Sequence, residues 1–280
     1  MTSKLFKTVL ITGCSSGIGE TLAIELSRQG YQVLATARNA DKLASLSEQG
    51  ISTYALDVTN QASIDQLADK FQQENIAIDA IINNAGYAAI GPVAELPIED
   101  LEKQLATNVT GIVRVTQAFT QNMINQKKGL IVNIGSVSGI LTTPFSGAYC
   151  ASKAAVHSLT DALRMELAPF NVKVVDVRPG AIQSSFGNNA MAGTEKNREQ
   201  FKRYIQIFEK IMERANASQD NPTSTDEFCK TLIKQCFTDN PVSIQYIGNG
   251  SITLPFLKRW LPTPLLDKIL SKKFGLNLLK

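Results

Sequence analysis

The sequence predicts an α/β fold, a doubly wound parallel sheet of about seven strands with helices on both faces and a C-terminal helical tail. Three observations predict it. From residue 8 to about 180, short β-rich runs alternate with helix-length amphipathic segments, as crossover helices between parallel strands require. The strand runs are nearly continuous in apolar residues, which fits strands buried on both faces. Gly30, Gly50 and Gly129 each follow a helical segment, where a helix C-terminus favours glycine.

The first strand, 8–12, reads Thr-Val-Leu-Ile-Thr and opens directly into a glycine-bearing turn. Helical segments near 18–29, 41–49, 61–74, 98–126 and 149–168 then separate strands at 32–37, 52–56, 80–83, 130–134 and 173–177, with a last strand at 243–247. Past Pro179-Gly180 the regularity fails. A stretch over 183–197 rich in Ser, Asn, Gly and charge reads as irregular chain, and a helix over 198–215 presents Phe201, Tyr204, Ile205, Phe208 and Ile211 or Met212 at helical spacing. The insertion 183–224 is expected to be a mobile substrate lid. A last helix starts at Pro264 with Thr263 as its cap, and Leu265, Leu266, Ile269 and Leu270 form its apolar face.

A chain of 280 residues, 44% hydrophobic and 19% charged, suffices for one domain over 1–280, with a core over about 7–250 and a tail over about 252–280. Its 28 basic and 25 acidic residues leave a net charge of +3, too weak a balance for a nucleic-acid partner. The charge is uneven: 252–280 carries six basic residues and one acid. A basic amphipathic tail with Trp260 suits peripheral contact with an anionic membrane, whereas packing over the substrate cleft or a partner subunit is the simpler reading. Residues 1–7 contain no apolar leader before the first strand, and no run of about 18 apolar residues spans a bilayer. The expected location is cytoplasmic, with membrane association resting on the tail.

Cys14, Cys150, Cys229 and Cys236 form no Cys-x-x-Cys pair, and His157 is the single histidine. A histidine-containing metal cluster is excluded by count, no metal is expected, and the cysteines read as reduced thiols. A Ser-His-Asp hydrolase would have His157 as its only base.

Thr12-Gly13-Cys14-Ser15-Ser16-Gly17-Ile18-Gly19 joins the first strand to the first helix. Glycine there permits a tight turn and close backbone approach to a pyrophosphate, and the helix N-terminus adds amide donors and a positive dipole. The spacing of Gly13, Gly17 and Gly19 is not Gly-x-Gly-x-x-Gly, so the placement between strand and helix carries the reading. At the end of the second strand, Ala35-Thr36-Ala37-Arg38-Asn39 has a cation where NAD would need a carboxylate for its ribose hydroxyl. Arg38 therefore favours NADP(H) over NAD(H).

Tyr149 and Lys153 are four residues apart on a helical segment, with Ser136 thirteen residues upstream at a strand end. Residues at i and i+4 share a helix face, so the Lys153 ammonium is placed to favour the ionised phenol and Ser136 to donate a hydrogen bond. A tyrosine so placed works as an acid or base.

Together these residues resemble the short-chain dehydrogenase/reductase family over residues 7 to about 250. The marks are Gly13, Gly17 and Gly19; Asp57-Val58; Asn83-Asn84-Ala85-Gly86; Asn108; Ser136; Tyr149 with Lys153; and Pro179-Gly180. The resemblance implies a Rossmann-type fold and hydride transfer between a nicotinamide and a small-molecule carbonyl or alcohol, in a protein that commonly forms homo-oligomers. It implies that Tyr149 protonates the carbonyl oxygen, Ser136 hydrogen-bonds it, Lys153 binds the nicotinamide ribose and lowers the tyrosine pKa, and Asn108 holds a water that relays protons. On the cofactor side, Ser15, Ser16 and Ile18 belong to the phosphate turn. Asp57 and Val58 meet the adenine, Asn84, Ala85 and Gly86 form the adenosine-side wall, and Pro179, Gly180, Ile182 and Ser184 lie at the nicotinamide. A softer resemblance, to 17β-hydroxysteroid dehydrogenase-like and acyl-dihydroxyacetone-phosphate-reductase-like members, implies a bulky apolar substrate such as a steroid, retinoid or lipid-like ketone. The alternative is a catalytically silent NADP-binding regulator on the same fold.

Overall fold

The computed structural model describes residues 6–279. Residues 1–5, which carry most of the segment read as lacking a leader, and Lys280, one of the tail's basic residues, lie outside the described residues.

The chain runs β1 (Thr8–Thr12), α1 (Gly17–Arg28), β2 (Gln32–Ala37), α2 (Ala44–Glu48), β3 (Ser52–Ala55), α3 (Gln61–Gln73), β4 (Ala80–Asn83), α4 (Ile98–Leu105), α5 (Gly111–Phe119) and α6 (Gln121–Gln126). It continues through β5 (Gly129–Ile134), α7 (Gly147–Leu167), β6 (Val172–Pro179), α8 (Phe186–Lys196), α9 (Phe208–Ala215), α10 (Thr225–Cys236), β7 (Ile244–Ile247), α11 (Thr253–Trp260) and α12 (Thr263–Lys273). Seven strands pair in the order β3-β2-β1-β4-β5-β6-β7, all parallel. This is a Rossmann-type sheet. Its strand order reverses between β1 and β4, so a crevice opens at the strands' C-terminal ends, where ligands of such sheets bind.

Two apolar layers cover the sheet. On one face Leu22 and Leu26 of α1 pack with Phe228 and Leu232 of α10. On the other, Ile64, Leu67 and Phe71 of α3 pack with Val115 and Phe119 of α5. The inner strands β1, β4 and β5 are buried throughout, as their apolar runs require. β3 departs from that expectation: it is an edge strand with Ser52 and Ala55 exposed, because no further strand covers it.

Three helical expectations need correction. The segment 98–126 is not one helix: a π-helical stretch, Ala106–Thr110, separates α4 from α5, and the chain breaks again at Thr120, whose hydroxyl donates back to the Thr116 carbonyl at 2.8 Å. The polar stretch 183–197 is largely helical, as α8, while 198–215 is helical only from Phe208 apart from two single 3-10 turns. Phe201 is the reason: its ring is completely buried and lies where a Cβ on Gly91 would stand 2.4 Å away, which draws the chain off any single helical path. At the tail, Pro262 holds the cap position of α12, with Thr263 and Pro264 as its first helical residues. α11 precedes it as a separate helix.

The tail divides by burial. Leu266 of α12 and Phe274 just past its end are buried, the Phe274 ring meeting Phe145 edge-on at 6.4 Å, whereas Leu265 and Ile269 of the expected apolar face are exposed. On α11, Phe256 and Trp260 are 60% and 65% exposed. No helix among the described residues is long and apolar enough to cross a membrane.

Candidate active site

The turn after β1 is packed against the loop after β4. Gly13 and Gly17 have φ of 75° and 61°, a backbone region that side chains with a Cβ rarely adopt. A Cβ on Gly19 would lie 2.3 Å from the Gly13 carbonyl oxygen. Asn84 Nδ2 donates to the carbonyls of Thr12 (2.9 Å) and Gly13 (3.1 Å), while Thr12 Oγ1 accepts from the amides of Asn84 and Ala85 at 3.0 Å each. A Cβ on Gly86 would meet Asn108 Oδ1 at 3.1 Å. The turn is thus fixed from behind, and its outer side is open. Ser15 and Ser16 are exposed, and Ser16, at the cap position of α1, makes no side-chain cap bond. The first amides of α1 are therefore available to an anion.

The segment after β6, expected to form a lid, begins beside this turn. Ser185 Oγ donates to Ser16 Oγ at 3.0 Å, and a Cβ on Gly17 would lie 3.2 Å from that of Ser184. Pro179 ends β6; Gly180 follows where a Cβ would collide with the Asn249 carbonyl; Ile182 is buried in the sheet-face core rather than open to the crevice. Arg38 stands exposed just past β2 and makes no ion pair among the described residues. Asp57 is half-buried, its Oδ1 accepting from the amide (2.9 Å) and hydroxyl (2.7 Å) of Thr59. Beside it, buried Val58 packs against Gly111. These residues fit a dinucleotide whose pyrophosphate would meet the α1 amides, with an exposed cation, Arg38, past the end of β2.

The chemical end is built on β5 and α7. Ser136 follows β5 and caps a 3-10 turn, its Oγ accepting from the Ser138 amide at 3.1 Å. Tyr149 lies in the first turn of α7, with Lys153 one turn on and its Nζ 5.9 Å from the phenol ring centre. Burial pushes the Tyr149 phenol up to about 12; a hydrogen-bonding contribution from Ser136 brings it down, Cys150 raises it and the Arg214 charge lowers it. Lys153 Nζ donates to the Ile134 carbonyl at 2.6 Å. Burial lowers Lys153 to about 8, against the pull of Asp176. Asn108, in the π-helical stretch, is buried with its side chain fully engaged: Nδ2 donates to the Tyr87 carbonyl (2.9 Å) and Ser152 Oγ (3.1 Å), and Oδ1 accepts from the Tyr87 amide (3.1 Å).

Three residues here escaped the sequence reading. Ser152 donates to the Tyr149 carbonyl at 2.7 Å and so ties Asn108 to α7; its position inside Tyr-x-x-x-Lys was the available signal. Asp176, an acid inside the apolar run of β6, is buried against Arg178 at 2.6 Å. Arg214 reaches the site from α9, and nothing in its local sequence marks it. His157 Nε2 lies 3.9 Å from Asp176 Oδ2, and burial lowers its pKa to about 4, so it sits in the wall behind Lys153. All four cysteines are buried and unbridged, and no acidic, histidine or cysteine group among the described residues is arranged to hold a metal.

A Rossmann-type sheet with a glycine turn after β1 thus has Ser136, Tyr149 and Lys153 near the C-terminal ends of its strands. The short chain dehydrogenase family matches residues 7–195, and the chain belongs to it, a family acting on CH–OH and carbonyl groups. The NADPH-dependent 1-acyldihydroxyacetone phosphate reductase of Schizosaccharomyces pombe is 40% identical over 180 residues, 64% of this chain and 60% of that protein. The uncharacterized oxidoreductase YbbO of Escherichia coli is 39% identical over 184 residues, 65% of this chain and 68% of that protein. Among solved structures, a serine dehydrogenase complexed with NADP+ superposes with a TM-score of 0.75 at 26% identity, covering 86% of this chain and 94% of that one. An NAD+-bound xylitol dehydrogenase gives 0.73 at 27%, covering 87% and 98%.

Proposed function

We propose that this chain is an NADPH-dependent carbonyl reductase for a bulky, apolar ketone, and that the reverse alcohol oxidation uses the same residues. The observation that carries the reading is the setting of Tyr149. Its ring packs on Phe186 at 5.6 Å and joins an apolar cluster of Phe145, just before α7, with Phe201, Phe208 and Ile211 of the lid and Phe274 of the tail. A wall of that size suits a steroid-, retinoid- or lipid-like body more than a small polar one.

The cofactor, when bound, supplies hydride to the carbonyl carbon. Tyr149 supplies the proton to the carbonyl oxygen, and a phenol kept near 12 remains protonated throughout the neutral range, which suits reduction. Ser136 donates a hydrogen bond to the same oxygen and stabilises the charge that builds there. Lys153 would hold the nicotinamide ribose, exchanging its bond to the Ile134 carbonyl for hydroxyl partners. Asn108 positions Ser152 and the first turns of α7, and would hold the water that relays protons to Lys153. NADPH over NADH rests on the unpaired Arg38, in keeping with the NADPH dependence of the fission yeast relative.

The test is NADPH oxidation against steroid, retinoid and acyl ketones, run beside Tyr149→Phe. Turnover in the wild type and a fall of about 10²–10⁴-fold in the variant, with NADPH binding retained, is the expected result. NADPH binding with no turnover on any carbonyl would favour the silent regulator, and full activity of Tyr149→Phe would overturn the mechanism.

The exposed face of α11 favours a second reading of the tail. Phe256 and Trp260, with Lys258 and Arg259, suit the interface of an anionic bilayer, while α12 docks over the lid. Flotation with phosphatidylserine vesicles, lost in a Phe256→Ser/Trp260→Ser variant, is expected; equal flotation of both proteins rejects it.

A further inference from the structure

The lid brings one cation to the point where the catalytic tyrosine meets the apolar wall. Arg214 is the seventh residue of α9, between Ile211 and Ala215, which are buried in the aromatic cluster. Its Nε donates to Thr143 Oγ1 at 2.6 Å. Thr143 Oγ1 is 2.8 Å from Ser146 Oγ, and Ser146 Oγ is 3.3 Å from Cys150 Sγ, the neighbour of Tyr149. The guanidinium is thus held over the start of α7, near enough for its charge to act on the phenol.

No carboxylate among the described residues pairs with it. The other two arginines of the lid are paired: Arg198 with Glu195 at 3.0 Å and Arg203 with Glu95 at 3.0 Å. Arg214 has only neutral partners, and Phe145, Phe186, Met191 and Met212 are among the apolar side chains of the surrounding cluster. A guanidinium carries five donors in a planar fork, so the Nε bond to Thr143 and a hydrogen bond with the Cys150 thiol leave further donors for an anion. Partial burial without a counter-charge is a cost that a bound anion would relieve.

We infer that Arg214 is a substrate-recognition residue, taking a carboxylate or phosphate carried by an otherwise apolar ketone or the corresponding alcohol and thereby holding the reacting carbon beside Tyr149. This rests on the reductase reading and adds to it a charged substrate class. An apolar wall with a single cation selects an amphipathic anion: the chain is recognised by burial, and its head by bidentate hydrogen bonding.

Matched probes test it with the full-length protein saturated with NADPH. One pair is a long-chain keto acid and its methyl ester; the other is an acyl dihydroxyacetone phosphate and its dephosphorylated form. Each is measured on the wild type, Arg214→Gln and Arg214→Lys, with thermal melts to confirm folding. The anionic member is expected to lose about 10- to 100-fold in kcat/KM relative to its neutral partner in Arg214→Gln, with partial recovery in Arg214→Lys. Any loss common to both members cancels in the ratio. Collapse of the ratio in the keto acid pair alone assigns a carboxylate; in the phosphate pair alone, a phosphate. An equal loss in both members with a displaced pH profile overturns the inference and makes Arg214 a positioning residue for Tyr149. Calorimetric binding of dodecyl phosphate, dodecanoate and dodecanol to the wild type and Arg214→Gln separates this result from the reductase reading. If no probe is turned over, the reading fails, yet a wild-type preference for either anion over dodecanol that is lost in Arg214→Gln still supports the anion site. An unchanged preference overturns it.

Discussion

Replacing Lys153 by Met is expected to stabilise the cofactor-free protein while abolishing turnover. Lys153 is only 7% exposed, its one hydrogen bond runs to the Ile134 carbonyl, and burial lowers its pKa from 10.5 to about 8. At about 1.36 kcal/mol per tenfold change, that difference makes the buried ammonium cost the folded state about 3 kcal/mol near neutral pH. The sign follows from proton binding. The unfolded chain holds the proton more tightly, so the penalty is complete below a pH of about 8 and is relieved as pH rises towards 10.5. Methionine keeps the apolar stem and removes the charge, at the loss of one hydrogen bond worth about 1 kcal/mol. The variant should therefore be more stable by about 2 kcal/mol near neutral pH, an advantage that disappears by the alkaline end of that window. Urea unfolding at both pH values, with m compared so that the midpoints are commensurable, measures it. A lower midpoint for Lys153→Met near neutral pH, with m unchanged, refutes the argument that catalysis here is maintained at the fold's expense.

Two substitutions at the cofactor side have separate signatures. Arg38→Asp is expected to lower kcat/KM for NADPH by about 10- to 100-fold while leaving NADH the same or better, because it exchanges the partner of a 2′-phosphate for one suited to a ribose hydroxyl; equal effects on both cofactors refute the assignment. Gly19→Ala places a Cβ 2.3 Å from the Gly13 carbonyl oxygen, so the turn must open and NADPH affinity measured by fluorescence titration should fall sharply; wild-type affinity would show that the turn has slack its packing does not suggest.

Much of this architecture was legible because parallel strands announce themselves. The runs at β1, β4 and β5 are apolar without interruption, and glycines punctuate the helices between them, so strand order and the crevice follow from topology. The lid was not legible for an equally physical reason. Its helices form where tertiary burial demands: α8 assembles from Asn, Gly and Ala around buried Gly187, Ala190 and Thr194, and Phe201 breaks a promising amphipathic stripe in order to fill a pocket against Gly91. Local spacing also suggested that Lys153 acts on Tyr149 directly. The i, i+4 relation is present, yet the nearest acceptor for the ammonium is a strand carbonyl, which no helix periodicity encodes. Arg214 is the extreme case, brought to the site by a segment about sixty residues away along the chain whose sequence carries no motif.

How α7 is held bears on why Tyr149 arrives where it does. The helix buries Ser152, Lys153, His157 and Thr160, a face too polar to be positioned by apolar contact alone. Hydrogen bonds with specific partners position it instead: Asn133 Nδ2 of β5 donates to Thr160 Oγ1 at 2.9 Å, and Asn83 Nδ2 of β4 donates to Asn133 Oδ1 at 2.8 Å. An apolar interface tolerates sliding, whereas a chain of buried amides is satisfied in one register only. Asn133→Ala should then do two things. It should destabilise the protein by about 1–3 kcal/mol by leaving buried polar groups without partners. It should also lower kcat per folded molecule, since α7 loses the contact that fixes Tyr149 and Lys153 against the strand ends. Scaling kcat to the folded fraction from parallel denaturation separates the effects. A kcat unchanged after that scaling would mean that the amide chain contributes stability alone, and that the register of the catalytic helix is set by the contacts of Ser152 with Asn108.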